Sequence, residues 1–225
     1  MTPTTPEPAA FTRLRDERYV AVIRAASPEA ALGAARAVAA GGISLVEITY
    51  SVPDAARVMA QLADRDDMVV GAGTVLTAAQ CRAALEAGAK FIIAPNLSHE
   101  VALLAVAAGV MFCPGAYTTT EIIAAHDAGA HVIKVYPVGV AGGPAYIKVI
   151  RDPLPDIPML AAGGTHLDNV VPFLQAGCVG CGLGASLADP QMAGRGEFAE
   201  ITRRAAAFVA KLGAARSAGE IGARA

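Results

Sequence analysis

Of the four lysines in this chain, one interrupts an apolar strand. Lys134 lies in Val132-Ile133-Lys134-Val135-Tyr136-Pro137, whereas Lys90, Lys148 and Lys211 fall in helical or turn contexts where a solvated ammonium is ordinary. Side chains alternate between faces along a strand, so Val132, Lys134 and Tyr136 share one face and Ile133 and Val135 the other. The β-branched pair suits packing against helices, which turns Lys134 inward. Burial there removes hydration and favours the neutral amine. A neutral amine can attack a ketone and form an imine. The competing account is a structural lysine paired with a buried carboxylate.

Glu47 follows the same logic in Leu45-Val46-Glu47-Ile48-Thr49, where Leu45, Glu47 and Thr49 form the inward face. It can serve as the structural partner of Lys134, as a general acid/base, or as both. Acid/base work favours a carboxyl raised toward neutral pH by burial. Three turns follow strands. Gly71-Ala-Gly-Thr74 allows close backbone approach and offers a hydroxyl and an N–H at the rim. Gly163-Gly164-Thr165 and Gly184-Ala185-Ser186 are small-residue turns whose backbone N–H groups suit a phosphate dianion. Taken alone, each is also compatible with an ordinary turn.

Other chemistries find less support. The histidines His99, His126, His131 and His166 are scattered without ligand spacing, so no metal site is expected. Cys178-Val-Gly-Cys181 has redox or zinc spacing, but it has no second pair and sits in an apolar strand. Small buried thiols are the simpler account.

The elements that must position these residues repeat. Apolar helical stretches end at Ala40-Gly41-Gly42, Ala87-Gly88, Ala108-Gly109, Ala128-Gly129 and Ala176-Gly177, each followed by a short apolar strand. Glycine just past a helix supplies a left-handed cap. The spacing from Gly88 to Gly109 nearly equals that from Gly109 to Gly129, and Gly129 to Gly177 spans about two such units. Strands are expected over 19–24, 45–49, 68–71, 91–94, 110–113, 132–136, 158–162 and 179–182. Helices are expected over 28–40, 53–63, 78–87, 99–108, 119–128, 144–151, 167–176 and 196–212, with another near 10–17. Ser27 before Pro28, and Thr118 with Glu121 three residues on, are capping signals. Strands alternating with helices imply parallel pairing. The expected class is α/β, a (β/α)8 barrel with an N-terminal helix. An open doubly wound sheet would want a Gly-x-Gly-x-x-Gly turn after an early strand, and none is there. Barrel enzymes carry their chemistry at the C-terminal ends of the strands, with phosphate usually held after the seventh and eighth. Residues 1–9 read as a disordered leader, 10–212 as one barrel domain and 213–225 as a flexible tail.

The 225 residues are enough for one such barrel, and 54% are hydrophobic against 17% charged, which suits a buried parallel sheet. The net charge is −2 with no basic run, so no nucleic-acid partner is expected. No apolar run is long enough for a membrane helix, and the start lacks a signal-peptide pattern, which leaves the cytoplasm as the expected compartment.

The chain resembles the 2-keto-3-deoxy-6-phosphogluconate (KDPG) aldolase family, which includes the phosphogalactonate aldolases. The resemblance runs over about 19–190. It rests on Val46-Glu47-Ile48-Thr49, Gly71-Ala-Gly-Thr74-Val75, Ala94-Pro95-Asn96, Cys113-Pro114-Gly115, Ile133-Lys134-Val135-Tyr136-Pro137 and Ala162-Gly163-Gly164-Thr165. It implies a homotrimer without cofactor that cleaves a phosphorylated keto-deoxy sugar acid to pyruvate and glyceraldehyde 3-phosphate. Lys134 would be the Schiff-base lysine and Glu47 the proton shuttle. Thr74 would bind the pyruvoyl carboxylate, Pro95 would belong to the substrate site, and Gly163, Gly164, Gly184, Ala185 and Ser186 would hold the phosphate. Gluconate-type members carry an arginine in a Leu-Arg-Thr run after Glu-x-Thr. Here the run is Tyr50-Ser51-Val52-Pro53, without a cation. Arg24 at the end of strand one matches an arginine of the galactonate type that some gluconate-type members share, so it does not discriminate alone, and Pro95-Asn96 and Gly143–Lys148 look closer to the galactonate type. A substrate with a carboxylate and a phosphate needs a cation near its carboxylate, and Arg24 is the nearest candidate in sequence. A phosphosugar isomerase or epimerase on the same barrel would explain the phosphate turns but not the mid-strand lysine. A non-catalytic sugar-phosphate sensor is the third reading.

Overall fold

The computed structural model describes residues 7–222. Helix α1 (Ala9–Glu17) precedes an alternation of strands and helices: β1 (Tyr19–Ile23), α2 (Pro28–Ala40), β2 (Leu45–Thr49), α3 (Ala55–Leu62), β3 (Val69–Gly73), α4 (Ala78–Glu86), β4 (Phe91–Ile93) and α5 (His99–Ala107). The second half continues with β5 (Met111–Cys113), β6 (Gly115–Ala116), α6 (Thr119–Asp127), β7 (Ile133–Val135), α7 (Val138–Ala141), α8 (Pro144–Arg151), β8 (Met159–Ala162), α9 (Val170–Gln175), β9 (Gly180–Leu183), α10 (Pro190–Gly194) and α11 (Phe198–Ser217). The capping signals at Ser27 and at Thr118 with Glu121 both form: Ser27 accepts from Ala30 N–H at 3.2 Å, and Thr118 and Glu121 make a reciprocal box.

Nine strands make one parallel sheet in the order β5-β4-β3-β2-β1-β9-β8-β7-β6. Its two end strands, β5 and β6, are separated only by Pro114, so the sheet curls into a nearly closed barrel. Strand β7 bonds to both sides of that break. Lys134 N–H donates to Pro114 C=O at 2.9 Å, and His131 N–H donates to Phe112 C=O at 3.0 Å. The Phe112 N–H, in return, donates to the His131 Nδ1 at 3.1 Å. The His131 side chain thus stands in for a ladder carbonyl at the seam.

Two apolar layers follow from the alternation along the strands. Outward residues such as Ile48, Ile133 and Val135 pack under the helices. Inward residues Val20, Leu45, Phe91, Ile93, Met111, Val132 and Leu160 fill the barrel together with Ala10, Phe11 and Leu14 of α1. Each such fully buried side chain contributes about 1.5–3 kcal/mol. Gly71 is required here, because a Cβ at that position would lie 2.2 Å from the Phe91 ring. Helix α1 plugs the end of the barrel where the strands begin. Glu17 accepts from Ser44 N–H at 2.9 Å just before β2, and Arg18 donates to Val179 C=O at 3.2 Å just before β9. The opposite end stays open.

Several boundaries differ from the sequence reading. Strand β3 runs on to Gly73, because the glycines stay in the ladder and leave room for the neighbouring strand's side chain. Helix α11 continues five residues past 212, and Ala215 is buried in line with Ala205, Phe208 and Leu212 at helical spacing. The expected tail is therefore helical as far as Ser217. Ala9 already belongs to α1 and Pro8 is its N-cap, while residues 1–6 of the expected leader lie outside the described residues. Helices α7 and α10 were not foreseen. The first hides in a glycine-rich stretch, while the second carries a readable signal in Asp189-Pro190, where Asp189 caps Gln191 and Met192.

The seam generates a pH prediction. Desolvation holds the His131 pKa below its ordinary 6.5, opposed in part by the charge of Glu7. Only the neutral ring can accept from Phe112. The stabilisation is therefore present above the ordinary histidine range and is lost as pH falls through the lowered folded value. His131→Ala should cost about 1–3 kcal/mol, the range for a buried N–H left without its acceptor. Amide exchange at Phe112 should lose protection in that variant while strand β2 keeps its own, and equal protection at Phe112 in both proteins would refute the role.

Candidate active site

Lys134, 5% exposed, lines a cavity at the open end of the barrel, whereas Glu47, 1% exposed, is buried without lining that cavity. Strand register places Lys134 between Gly115 and Leu160, and Glu47 between Val22 and Gly71. The Glu47 carboxyl fits only because position 73 has no side chain: a Cβ on Gly73 would lie 1.7 Å from Oε1. That oxygen is buried without a hydrogen-bond partner. Desolvation pushes the Glu47 pKa up, while the charges of Lys134 and then Arg24 pull it down by less. No ion pair joins Glu47 to Lys134 among the described residues, so the two sense each other through the field rather than by contact. The Lys134 ammonium nitrogen sits 5.1 Å from the centre of the Tyr136 ring. Cys113 is buried beside the pair, and desolvation keeps its thiol protonated.

A cavity of about 380 Å³ opens above Lys134. Its walls include Arg24, Tyr136, Gly163, Gly164, Gly184, Ala185 and Ser186. The first glycine turn is left-handed at both Gly163 (φ 76°) and Gly164 (φ 102°), a conformation that glycine adopts without strain. Thr165 ties this turn to the other. Its hydroxyl donates to Gly182 C=O at 2.6 Å, and its carbonyl accepts from the Ser186 hydroxyl at 2.9 Å. Among the described residues, the N–H groups of Gly164, Thr165, Ala185 and Ser186 have no acceptor. Unpaired amides lining a cavity wall are suited to an anion.

Not every expected residue converges there. Pro95 lines a neighbouring cavity of about 270 Å³, and Tyr136 forms the wall common to both. Thr74 lines neither cavity. It is held at φ 56°, a left-handed strain for a β-branched residue at a strand end. Arg24 stands on the strand that pairs with β9, so it belongs with the glycine turns, with β2 between it and the strand that leads to Thr74. Arg24 lines the cavity with the glycine turns, one strand further from Thr74 than β2.

Residues absent from the expected site are Tyr136, Thr165 and Ser51. Tyr136 shares the face of Lys134, which was a usable signal. Ser51 contacts Arg24 at 3.5 Å, and nothing in the local sequence pointed to it. Cys178 and Cys181 are buried and unpaired, with thiol pKa values raised by desolvation, that of Cys178 to about 12. Neither carries the thiolate that redox or zinc chemistry requires. Among the described residues, no three His, Cys, Asp or Glu side chains gather as a metal site, and no helix is long and apolar enough to cross a membrane.

Known proteins match this geometry in sequence and in shape. Residues 11–204 match the family model for KDPG and KHG aldolase. The 2-dehydro-3-deoxy-6-phosphogalactonate aldolase of Escherichia coli (strain K12) is 38% identical over 171 residues, 75% of this chain and 83% of that protein. The 2-dehydro-3-deoxy-phosphogluconate aldolase of Pseudomonas aeruginosa is 33% identical over 193 residues, covering 85% and 88%. A native KDPGal structure superposes with a TM-score of 0.81 at 35% identity, covering 88% of this chain and 96% of that one. The KDPG aldolase of Legionella pneumophila, with pyruvate captured as a covalent carbinolamine, superposes with a TM-score of 0.82 at 26% identity, covering 90% and 98%. This chain belongs to the KDPG and KHG aldolase family.

Proposed function

We propose that this chain is a class I aldolase that cleaves 2-dehydro-3-deoxy-6-phosphogalactonate, in preference to the gluconate epimer, into pyruvate and glyceraldehyde 3-phosphate. The observation that carries the reading is a buried strand lysine that has no ion-pair partner among the described residues, lines a cavity and lies near a buried carboxyl with an oxygen unpaired among those residues. The Lys134 amine attacks the C2 ketone to give a carbinolamine. Glu47 protonates the departing hydroxyl, which leaves as water, and an iminium remains. A base then removes the C4 hydroxyl proton, and the C3–C4 bond breaks. The bonding pair moves into the iminium as an enamine, and the aldehyde departs. Protonation at C3 and hydrolysis release pyruvate and free the lysine. The iminium is the electron sink, so the reading calls for no metal or cofactor. The raised Glu47 pKa suits a group that must both give and take a proton near neutral pH.

The unpaired amides of the two glycine turns are assigned to the phosphate, with Gly163, Gly164, Gly184, Ala185 and Ser186 around it. Thr74, strained at the rim, is assigned to the pyruvoyl carboxylate, and Pro95 to the wall beside the pyruvate end. We read β5 and β6 as two halves of one strand split at Pro114, which makes the architecture a (β/α)8 barrel plugged by α1. The proposed assembly is a homotrimer in the cytoplasm. Leu103, 74% exposed on α5, together with Val106 and with Ile123 on α6, offers an apolar face for a second copy. The galactonate preference is supported by the neutral Tyr50-Ser51-Val52 run and by Pro95-Asn96.

Borohydride reduction in the presence of pyruvate should leave an adduct on the Lys134 peptide, and Lys134→Ala should abolish turnover. Folded protein with saturating pyruvate and no adduct on any lysine would reject the aldolase. Comparing kcat/KM for the two C4 epimers tests the preference, and a clear gluconate advantage would overturn it without touching the mechanism. Glu47→Gln should lower kcat about 10²–10⁴-fold. The same variant should be more stable at neutral pH. The folded carboxyl pKa lies above its ordinary 4.5, so the native state loses stability as pH rises through that raised value. Glutamine removes the penalty, each kcal/mol recovered raising Tm by about 2–4 °C. The gain should vanish below the ordinary carboxylate range, where both states hold a neutral acid. A variant no more stable at pH 7 than at pH 4 would show that Glu47 is not the strained group.

A further inference from the structure

Arg24 stands at the end of β1 on the cavity wall, exposed, with its guanidinium free of any carboxylate partner among the described residues. What holds it is a line of hydroxyls. Thr49 Oγ1 donates to Ile23 C=O at 2.9 Å and lies 2.7 Å from Ser51 Oγ. Arg24 Nη1 reaches the same Ser51 Oγ at 3.5 Å, the long end of a charge-assisted hydrogen bond. A hydroxyl carries one proton. The Thr49 proton is used on the Ile23 carbonyl, so the short contact must be made by the Ser51 proton. The Ser51 oxygen then offers its lone pairs to the guanidinium. The chain has a single polarity, Arg24 to Ser51 to Thr49 to the Ile23 carbonyl, and each bond polarises the next.

The chain also closes on itself, because Ile23 is the residue that precedes Arg24. One end fixes the backbone from which the arginine springs, and the other meets its side chain. The turn that carries Ser51 is itself tied down: Tyr50 N–H donates to Gly73 C=O at 2.8 Å, and Val52 N–H donates to Thr49 C=O at 2.9 Å. Thr49 is fully buried while Ser51 is exposed, so the serine contributes nothing to the core. An unrestrained arginine must give up rotamer freedom when it meets an anion, and restraint beforehand lowers that cost.

We propose that Thr49 and Ser51 are positioning residues for the cleavage reaction, holding the Arg24 guanidinium over the cavity for the anionic substrate. The inference rests on the aldolase reading above. A double-mutant cycle on kcat/KM for the phosphorylated sugar acid tests it, with borohydride trapping of pyruvate on Lys134 as the internal control. Ser51→Ala should lower kcat/KM about fivefold, mostly through KM, as for one hydrogen bond lost. It should have no further effect in an Arg24→Ala background. Thr49→Val, of the same shape but without the hydroxyl, should lose more, and Thr49→Ser should restore the wild-type value. Trapping should be equal in all of these proteins. Equal losses from Ser51→Ala with and without Arg24, no effect of Arg24→Ala, or a fully active Thr49→Val would each overturn the inference while leaving the aldolase intact. Absence of trapping in the wild-type protein would overturn the aldolase reading and this inference with it.

Discussion

Desolvation of the Glu47 carboxyl is the constraint around which the barrel interior is arranged. An ionised carboxylate without partners is costly in such a place, and the cost falls on the charged form. The surrounding residues neither pair it nor expose it. Gly73 yields its side-chain volume to the carboxyl, and the two adjacent strands set opposite it only Gly71, which has no side chain, and the apolar Val22. The remaining influence is the field of Lys134, which acts against desolvation without outweighing it. A fold built for stability alone would have put a hydrocarbon there.

That arrangement requires one end of the barrel to be dry and the other open. Helix α1 supplies the dry end by driving Phe11 and Leu14 among the inward side chains at the start of the strands. The open end carries the turns, and their geometry depends on small residues and on Thr165, which fastens one turn to the other. The carbonyls of Gly163, Gly164 and Thr165 accept from Gly139 N–H, the Asn169 side chain and the Ser186 hydroxyl, that of Gly184 accepts from Leu187 and Ala188 N–H, and the amides of Gly164, Thr165, Ala185 and Ser186 are left without an acceptor among the described residues.

The run Tyr50-Ser51-Val52 gains meaning from the same layout. After its second strand this chain has the hydroxyl of Ser51, and a cation, Arg24, stands on the neighbouring strand within reach of it.

Much of this was legible in the chain. Alternation in two short strands turned Lys134 and Glu47 inward, because the β-carbon of every second residue shares a face, and recurrent Ala-Gly helix ends announced repeated strand–helix units. Polar residues in apolar strands stand out whatever the tertiary context. Local sequence could not say which strand neighbours which around a curled sheet. Only the pairing of β1 with β9 put Arg24 among the glycine turns and away from Thr74, and only the three-dimensional packing exposed the links from Thr165 and Ser51. The helical stretch 213–217 was missed for a similar reason: a run rich in Ala, Gly and Arg reads as a loose tail, yet Ala215 finds a buried place in the core. Residue type and period decide which face a side chain takes. Which other residues meet it there is settled by contacts between segments far apart in the chain, and no local pattern encodes them.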